Sequence, residues 1–79
     1  MLEKDFLKRV GAVIRSLRIA SGNRSLNEFA LKNNIPSSTL SRIEIGENEA
    51  QLHTLQKIAD GLGLTLSELF SLIECDISQ

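Results

Sequence analysis

The side chains able to do covalent chemistry are few and isolated in this sequence. There is one cysteine, Cys75, and one histidine, His53. One thiol and one imidazole do not close a zinc site, and neither has the partner that activates a nucleophile. No phosphate-cradling glycine loop and no nucleophile elbow occurs. A lone cysteine also has no internal disulfide to form. These residues argue against an enzyme and imply no metal, cofactor or small-molecule ligand. His53 reads as a solvent-facing residue and Cys75 as a tail thiol. What remains is recognition chemistry. Ser37, Ser38, Ser41 and Arg42 share one face of a short predicted helix whose other face is Leu40 and Ile43. Serine hydroxyls hydrogen-bond with freely rotating geometry, whereas a guanidinium presents a planar fork that fits two acceptors at once.

The elements that must position these residues are all helical, because no run of alternating β-branched residues appears. Phe6, Val10, Val13, Ile14 and Leu17 recur at steps of three and four and form one stripe of a first helix. Gly22 suits the left-handed residue that ends it. Ser25-Leu26-Asn27-Glu28 has the capping-box pattern and opens a short second helix carrying Leu26, Phe29 and Ala30 inward. Asn33-Asn34-Ile35-Pro36 closes that helix, since asparagine tolerates the left-handed turn and proline begins a helix but does not continue one. A third helix runs from about Ser37 to Ile45, with Gly46 as its stop. Leu52, Leu55, Ile58, Ala59 and Leu62 space a fourth, ending at Gly63. Thr65-Leu66-Ser67-Glu68 repeats the capping box and opens a fifth over about residues 66–74. The tail from Cys75 to Gln79 is expected to fray.

Composition is that of an ordinary folded domain, with 42% apolar and 24% charged residues in 79. One domain over residues 1–79 is expected. The segment MLEKDF lacks the layout of a secretory signal, and no stretch approaches the roughly 18 apolar residues of a membrane span. A cytoplasmic location is expected. The net charge of -1 conceals an asymmetry. Residues 1–42 hold eight basic side chains against Glu3, Asp5 and Glu28, giving +5; residues 43–79 hold Lys57 against seven acids, giving -6. Such polarity suits a domain with one basic face.

A two-turn helix, a break and a second helix over about residues 26–45, with small Ala30 where the two would cross, is the layout of a helix-turn-helix. From here the sequence resembles the Cro and phage-repressor type (XRE) helix-turn-helix family. The resemblance covers roughly Ile14 to Phe70 and is carried by Ser38-Thr39-Leu40-Ser41-Arg42-Ile43-Glu44, then Gly46, then Leu62-Gly63-Leu64-Thr65-Leu66-Ser67-Glu68-Leu69. It implies an all-α, five-helix, lambda-repressor-like domain that binds double-stranded DNA through helices 2 and 3. It implies base contacts by Ser37, Ser38, Ser41 and Arg42, with the Arg42 fork suited to O6 and N7 of guanine. Backbone contacts fall to Asn23, Arg24, Ser25, Asn27, Lys32 and Asn48, and Arg18 with Glu44 matches the family's structural ion pair. In size the chain is similar to stand-alone regulators such as restriction-modification controller proteins and small phage repressors.

The sequence departs from that pattern in four places. The turn between Gly22 and Ser25 is one residue longer, Leu26 replaces a phosphate-clamping glutamine, and Asn33 stands where an apolar residue is usual. The loop Glu47-Asn48-Glu49 is acidic where Lys or Arg is common, and acids beside DNA repel phosphate. That loop favours the rival reading, a protein-interaction module of antitoxin or co-regulator type. The fifth helix carries Leu66, Leu69, Phe70, Leu72, Ile73 and Ile77, more apolar residues than one side of a short terminal helix buries. A homodimer through this surface, on a two-fold symmetric operator, is the expected assembly.

Overall fold

The computed structural model describes residues 2–78, in five helices: α1 Glu3–Ala20, α2 Leu26–Lys32, α3 Ser37–Ile45, α4 Leu52–Gly61 and α5 Leu66–Ile77. The first four end in the same way. A residue with positive φ follows each of them: Gly22 (92°), Asn34 (57°), Gly46 (81°) and Gly63 (74°). The amide after it reaches back to a carbonyl of the last turn: Asn23 to Arg18 at 3.1 Å, Ile35 to Ala30 at 2.9 Å, Glu47 to Arg42 at 2.9 Å and Leu64 to Ala59 at 2.9 Å. These bonds satisfy carbonyls that a helix end leaves unpaired, and the left-handed residue costs glycine nothing.

The starts are less uniform. At α5 the capping box is complete, with Glu68 N–H donating to Thr65 Oγ1 at 3.0 Å and Thr65 N–H donating to Glu68 Oε1 at 2.8 Å. At α2 only half of it forms: Glu28 N–H donates to Ser25 Oγ at 3.2 Å, without the reciprocal bond. Pro36 stands just before α3, where its missing N–H leaves no bond unmade, and its carbonyl accepts from Leu40 N–H at 3.1 Å.

One buried cluster joins all five helices: Ile14 from α1, Phe29 and Ala30 from α2, Ile35, Leu40 and Ile43 at α3, Ile58 and Ala59 from α4, Leu69 and Ile73 from α5. On the α1 stripe Ile14 is buried, Val10, Val13 and Leu17 are half-buried against the core, and Phe6 stays exposed beside Ala50, Leu55 and Phe70. Helices α1 and α3 approach closely at Gly11. A Cβ there would lie 2.3 Å from the Ile43 carbonyl oxygen and 2.5 Å from that of Glu44. Only glycine lets α1 lie this close to the backbone of α3.

Two sequence expectations about α5 are corrected. The helix does not fray at Cys75 but continues to Ile77, which packs against the core, while Arg9 Nη2 donates to the Asp76 carbonyl at 3.2 Å; Gln79 lies outside the described residues. Leu69 and Ile73, expected at a dimer surface, are buried within the protomer and have no area to lend a partner.

Candidate nucleic-acid interface

Helix α3 divides cleanly. Leu40, Ile43 and Glu44 are buried, whereas Ser37, Ser38 and Arg42 are exposed and Ser41 is half-buried. At about 100° per residue, Ser37, Ser38, Ser41, Arg42 and Ile45 lie within an arc of about 140°. Every residue expected to touch bases is thus on one face. The guanidinium of Arg42 makes no hydrogen bond and no ion pair among the described residues, so its fork is available to a ligand. Ile45 was not singled out by the sequence, where it reads only as the last helical residue. Its position near the middle of the arc, 54% exposed, marks it as part of the same surface.

The buried face is fixed to α1 by an ion pair. Arg18 Nε donates to Glu44 Oε2 at 2.7 Å and Nη2 to Oε1 at 3.0 Å, with the two side chains only 5% and 2% exposed. The Arg18 Nη1 donates to the carbonyls of Asn23 and Arg24, both at 2.8 Å. Hydrogen bonding to Glu44 is the main cause of an Arg18 pKa raised above its ordinary value, against the opposing effect of burial. No buried side-chain polar atom among the described residues lacks a partner. The longer turn before α2 is thereby held by the same guanidinium that orients α3.

The residues expected at phosphates are placed unequally. Arg24, Asn27, Lys32 and Asn48 are exposed, and their side chains make no hydrogen bond among the described residues. Ser25 uses its oxygen as the α2 cap, which leaves its O–H free to donate. Asn23 is half-buried and committed to the turn: its Nδ2 donates to Ser21 Oγ at 2.8 Å and its carbonyl accepts from Arg18. Leu31, exposed on α2, lines a groove with Asn27, Pro36 and Ser37 where the two helices meet. The acidic loop residues Glu47 and Glu49 are exposed immediately beyond α3. Asn33 caps α2 as its departure from the apolar pattern suggested, with Nδ2 donating to the Phe29 carbonyl at 2.8 Å, and its side chain fills the space a Cβ at Gly61 would need. Among the described residues no group of His, Cys, Asp and Glu is placed to hold a metal, and no helix is long and apolar enough to cross a membrane.

A helix-turn-helix family profile matches residues 14–69, spanning α2, α3 and the core around them. The chain belongs to the helix-turn-helix family. This helix-turn-helix protein is 40% identical over 70 residues to the control protein C.MunI of a Mycoplasma species, an alignment covering 89% of the chain and 95% of that relative. The clp gene regulator ClgR from Corynebacterium glutamicum shares its fold with a TM-score of 0.81 at 23% identity, over 92% of this chain and 77% of that one. The restriction-modification controller protein C.Esp1396I does so with a TM-score of 0.81 at 24% identity, over 94% and 96%. The all-α, five-helix, lambda-repressor-like fold implied by the sequence is the fold found. The function class is that of a DNA-binding transcription regulator, and the protein is not an enzyme.

Proposed function

We propose that this protein acts as a controller-type regulator that binds a two-fold symmetric operator as a homodimer, each protomer laying α3 in the major groove. The observation that carries this reading is the exposed arc of α3, with an unpaired Arg42 on a helix whose opposite face is locked to α1 through Glu44. Arg42 reads a guanine by its two-pronged hydrogen bond, and Ser37, Ser38 and Ser41 contact neighbouring base edges. Arg24, Ser25, Asn27, Lys32 and Asn48 hold phosphates on either side, contributing affinity without sequence information. Resemblance over nearly the full length of a control protein supports a regulator of that kind. A cytoplasmic location, as the sequence implies, fits such a role.

The dimer surface in this reading is narrower than the sequence suggested. With Leu69 and Ile73 in the core, what is left to it is Phe70 and Leu72, 37% and 42% exposed on opposite flanks of the buried stripe, and the half-buried Leu66 and Ile77. Two-fold symmetry then sets the recognition helices about one DNA turn apart, ~34 Å. Selection of bound sequences from random duplex DNA, followed by titration at two salt concentrations, tests the whole reading. A palindromic consensus bound with salt-dependent affinity is expected. An absence of salt-dependent binding would replace it with the protein-interaction module, and sedimentation as a monomer at tens of micromolar would remove the dimer.

A further inference from the structure

We propose that Ile45 is a specificity-determining residue that reads the C5-methyl group of a thymine in the operator half-site. The inference rests on the major-groove placement of α3 and adds to it a residue that neither the family motif nor the polar character of the helix points to. Ile45 is the one large apolar side chain on the exposed arc of α3, and it lies near the middle of that arc, between the positions of Ser41 and Ser38. Side chains on a helix lean toward its N-terminus, so Ile45 covers the surface over Ser41 and Arg42, four and three residues before it. A face turned toward base edges thus carries an apolar group in contact range of the bases beside the one that Arg42 reads.

The chemistry of the groove supplies one matching partner. Among the four base pairs only those containing thymine place an apolar group, the C5-methyl, on the major-groove floor, and apolar side chains recognise it by contact. Arg42 and Ile45, three residues apart, are neighbours on the helix surface, with about 5–6 Å between their Cβ atoms. Successive base pairs are about 3.4 Å apart. The thymine is therefore one or two base pairs from the guanine. Burying a single methyl group against Ile45 corresponds to about fourfold in affinity per half-site. It also gives discrimination that the three serines, whose hydroxyls accept or donate to either kind of base pair, do not provide.

Ile45 borders a surface groove with Lys4, Leu7 and Lys8 of α1 but stays outside the buried core. Ile45 is not among the buried residues that tie α3 to its neighbours. The Gly46 turn that follows is closed by backbone bonds from Gly46 to Ile43 and from Glu47 to Arg42, neither of which involves its side chain. Replacing Ile45 by alanine, a better helix former, leaves the fold in place.

The experiment uses the operator obtained by selection, with each thymine replaced in turn by uracil, which pairs identically and lacks only the methyl group. Wild type, Ile45→Ala and Ile45→Val are titrated on every duplex. One thymine next to or one removed from the Arg42 guanine should cost the wild type about fourfold per half-site when it becomes uracil. Ile45→Ala should not distinguish the two bases there, Ile45→Val should recover most of the difference, and all three should respond alike at other thymines. Identical uracil profiles for wild type and Ile45→Ala, or an operator without a thymine at that place, would overturn the inference while leaving the regulator reading intact. A wild type that selects no preferred sequence would overturn both.

Discussion

The two faces of α3 obey different rules although they share nine residues of one helix. On the inner face every polar atom is used: the Glu44 carboxylate takes two bonds from Arg18, and the carbonyls of Ile43 and Glu44 crowd against Gly11. On the outer face, Arg42 has no partner among the described residues, Ser37 and Ser38 face solvent, and Ser41 is half-buried. The contrast teaches that the residues that orient the element are separate from those proposed to read DNA. Substitutions on the inner face should act on stability, and those on the outer face on DNA affinity alone.

The sharpest way to break that division is Glu44→Ala. It strands the buried Arg18 guanidinium and should lower unfolding free energy by about 3–5 kcal/mol, measured by urea denaturation. A loss below about 1 kcal/mol, the range of an exposed pair, would mean that the inner face is not sealed. Gly11→Ala comes next. The added Cβ meets backbone oxygens that cannot rotate away, so α1 and α3 must separate; a cost of about 1–3 kcal/mol is expected, against the gain of a few tenths to 1 kcal/mol that alanine brings to an unobstructed helix interior.

Arg42→Ala probes the opposite face. Its stability should stay within about 0.5 kcal/mol of the wild type. Binding to the best operator should weaken by about 1–3 kcal/mol per half-site, with preference relaxed at one guanine. Equal weakening on all sequences would move Arg42 to a phosphate. The smallest effect is expected just beyond the helix, where the acidic loop belongs to neither face. Glu47→Lys with Glu49→Lys should tighten binding to operator and scrambled duplex, steepen the dependence on salt by up to about 0.9 per new phosphate contact, and narrow the gap between the two duplexes. Unchanged slopes on both would place the loop away from DNA.

Much of this contrast was legible in the sequence, because it is written in local signals. Gly22, Asn34, Gly46 and Gly63 mark helix ends through backbone conformations that other residues resist, and Thr65 with Glu68 marks a start. The bounds of α3, and the serines and Arg42 opposite Leu40 and Ile43, follow from the same reasoning. Less legible was whatever depends on a second element. A glycine inside a helix pattern reads as a weak helix former, and only the nearness of Ile43 shows why Gly11 is needed. Periodicity places Phe6 and Phe70 on apolar stripes without saying how fully their neighbours cover them. Ile45 escaped because it reads only as the end of α3, so its angle on the helix was not weighed.

Arg18 has a consequence for measurement of another kind, that of length. DNA offers a protein a groove of set width and phosphates at set intervals, so the distance between the part that grips the backbone and the part that reads bases has to be held to a tolerance. A planar guanidinium joins the two: one edge is on Glu44 of the reading helix, and another is on the carbonyls of Asn23 and Arg24, just ahead of the residues proposed to grip. Lysine has the charge for this place but no rigid plane. The side chain works as a gauge block. In the proposed binding mode, it would let the outer face of α3 be rewritten for a new operator while the spacing to the backbone stays as it was.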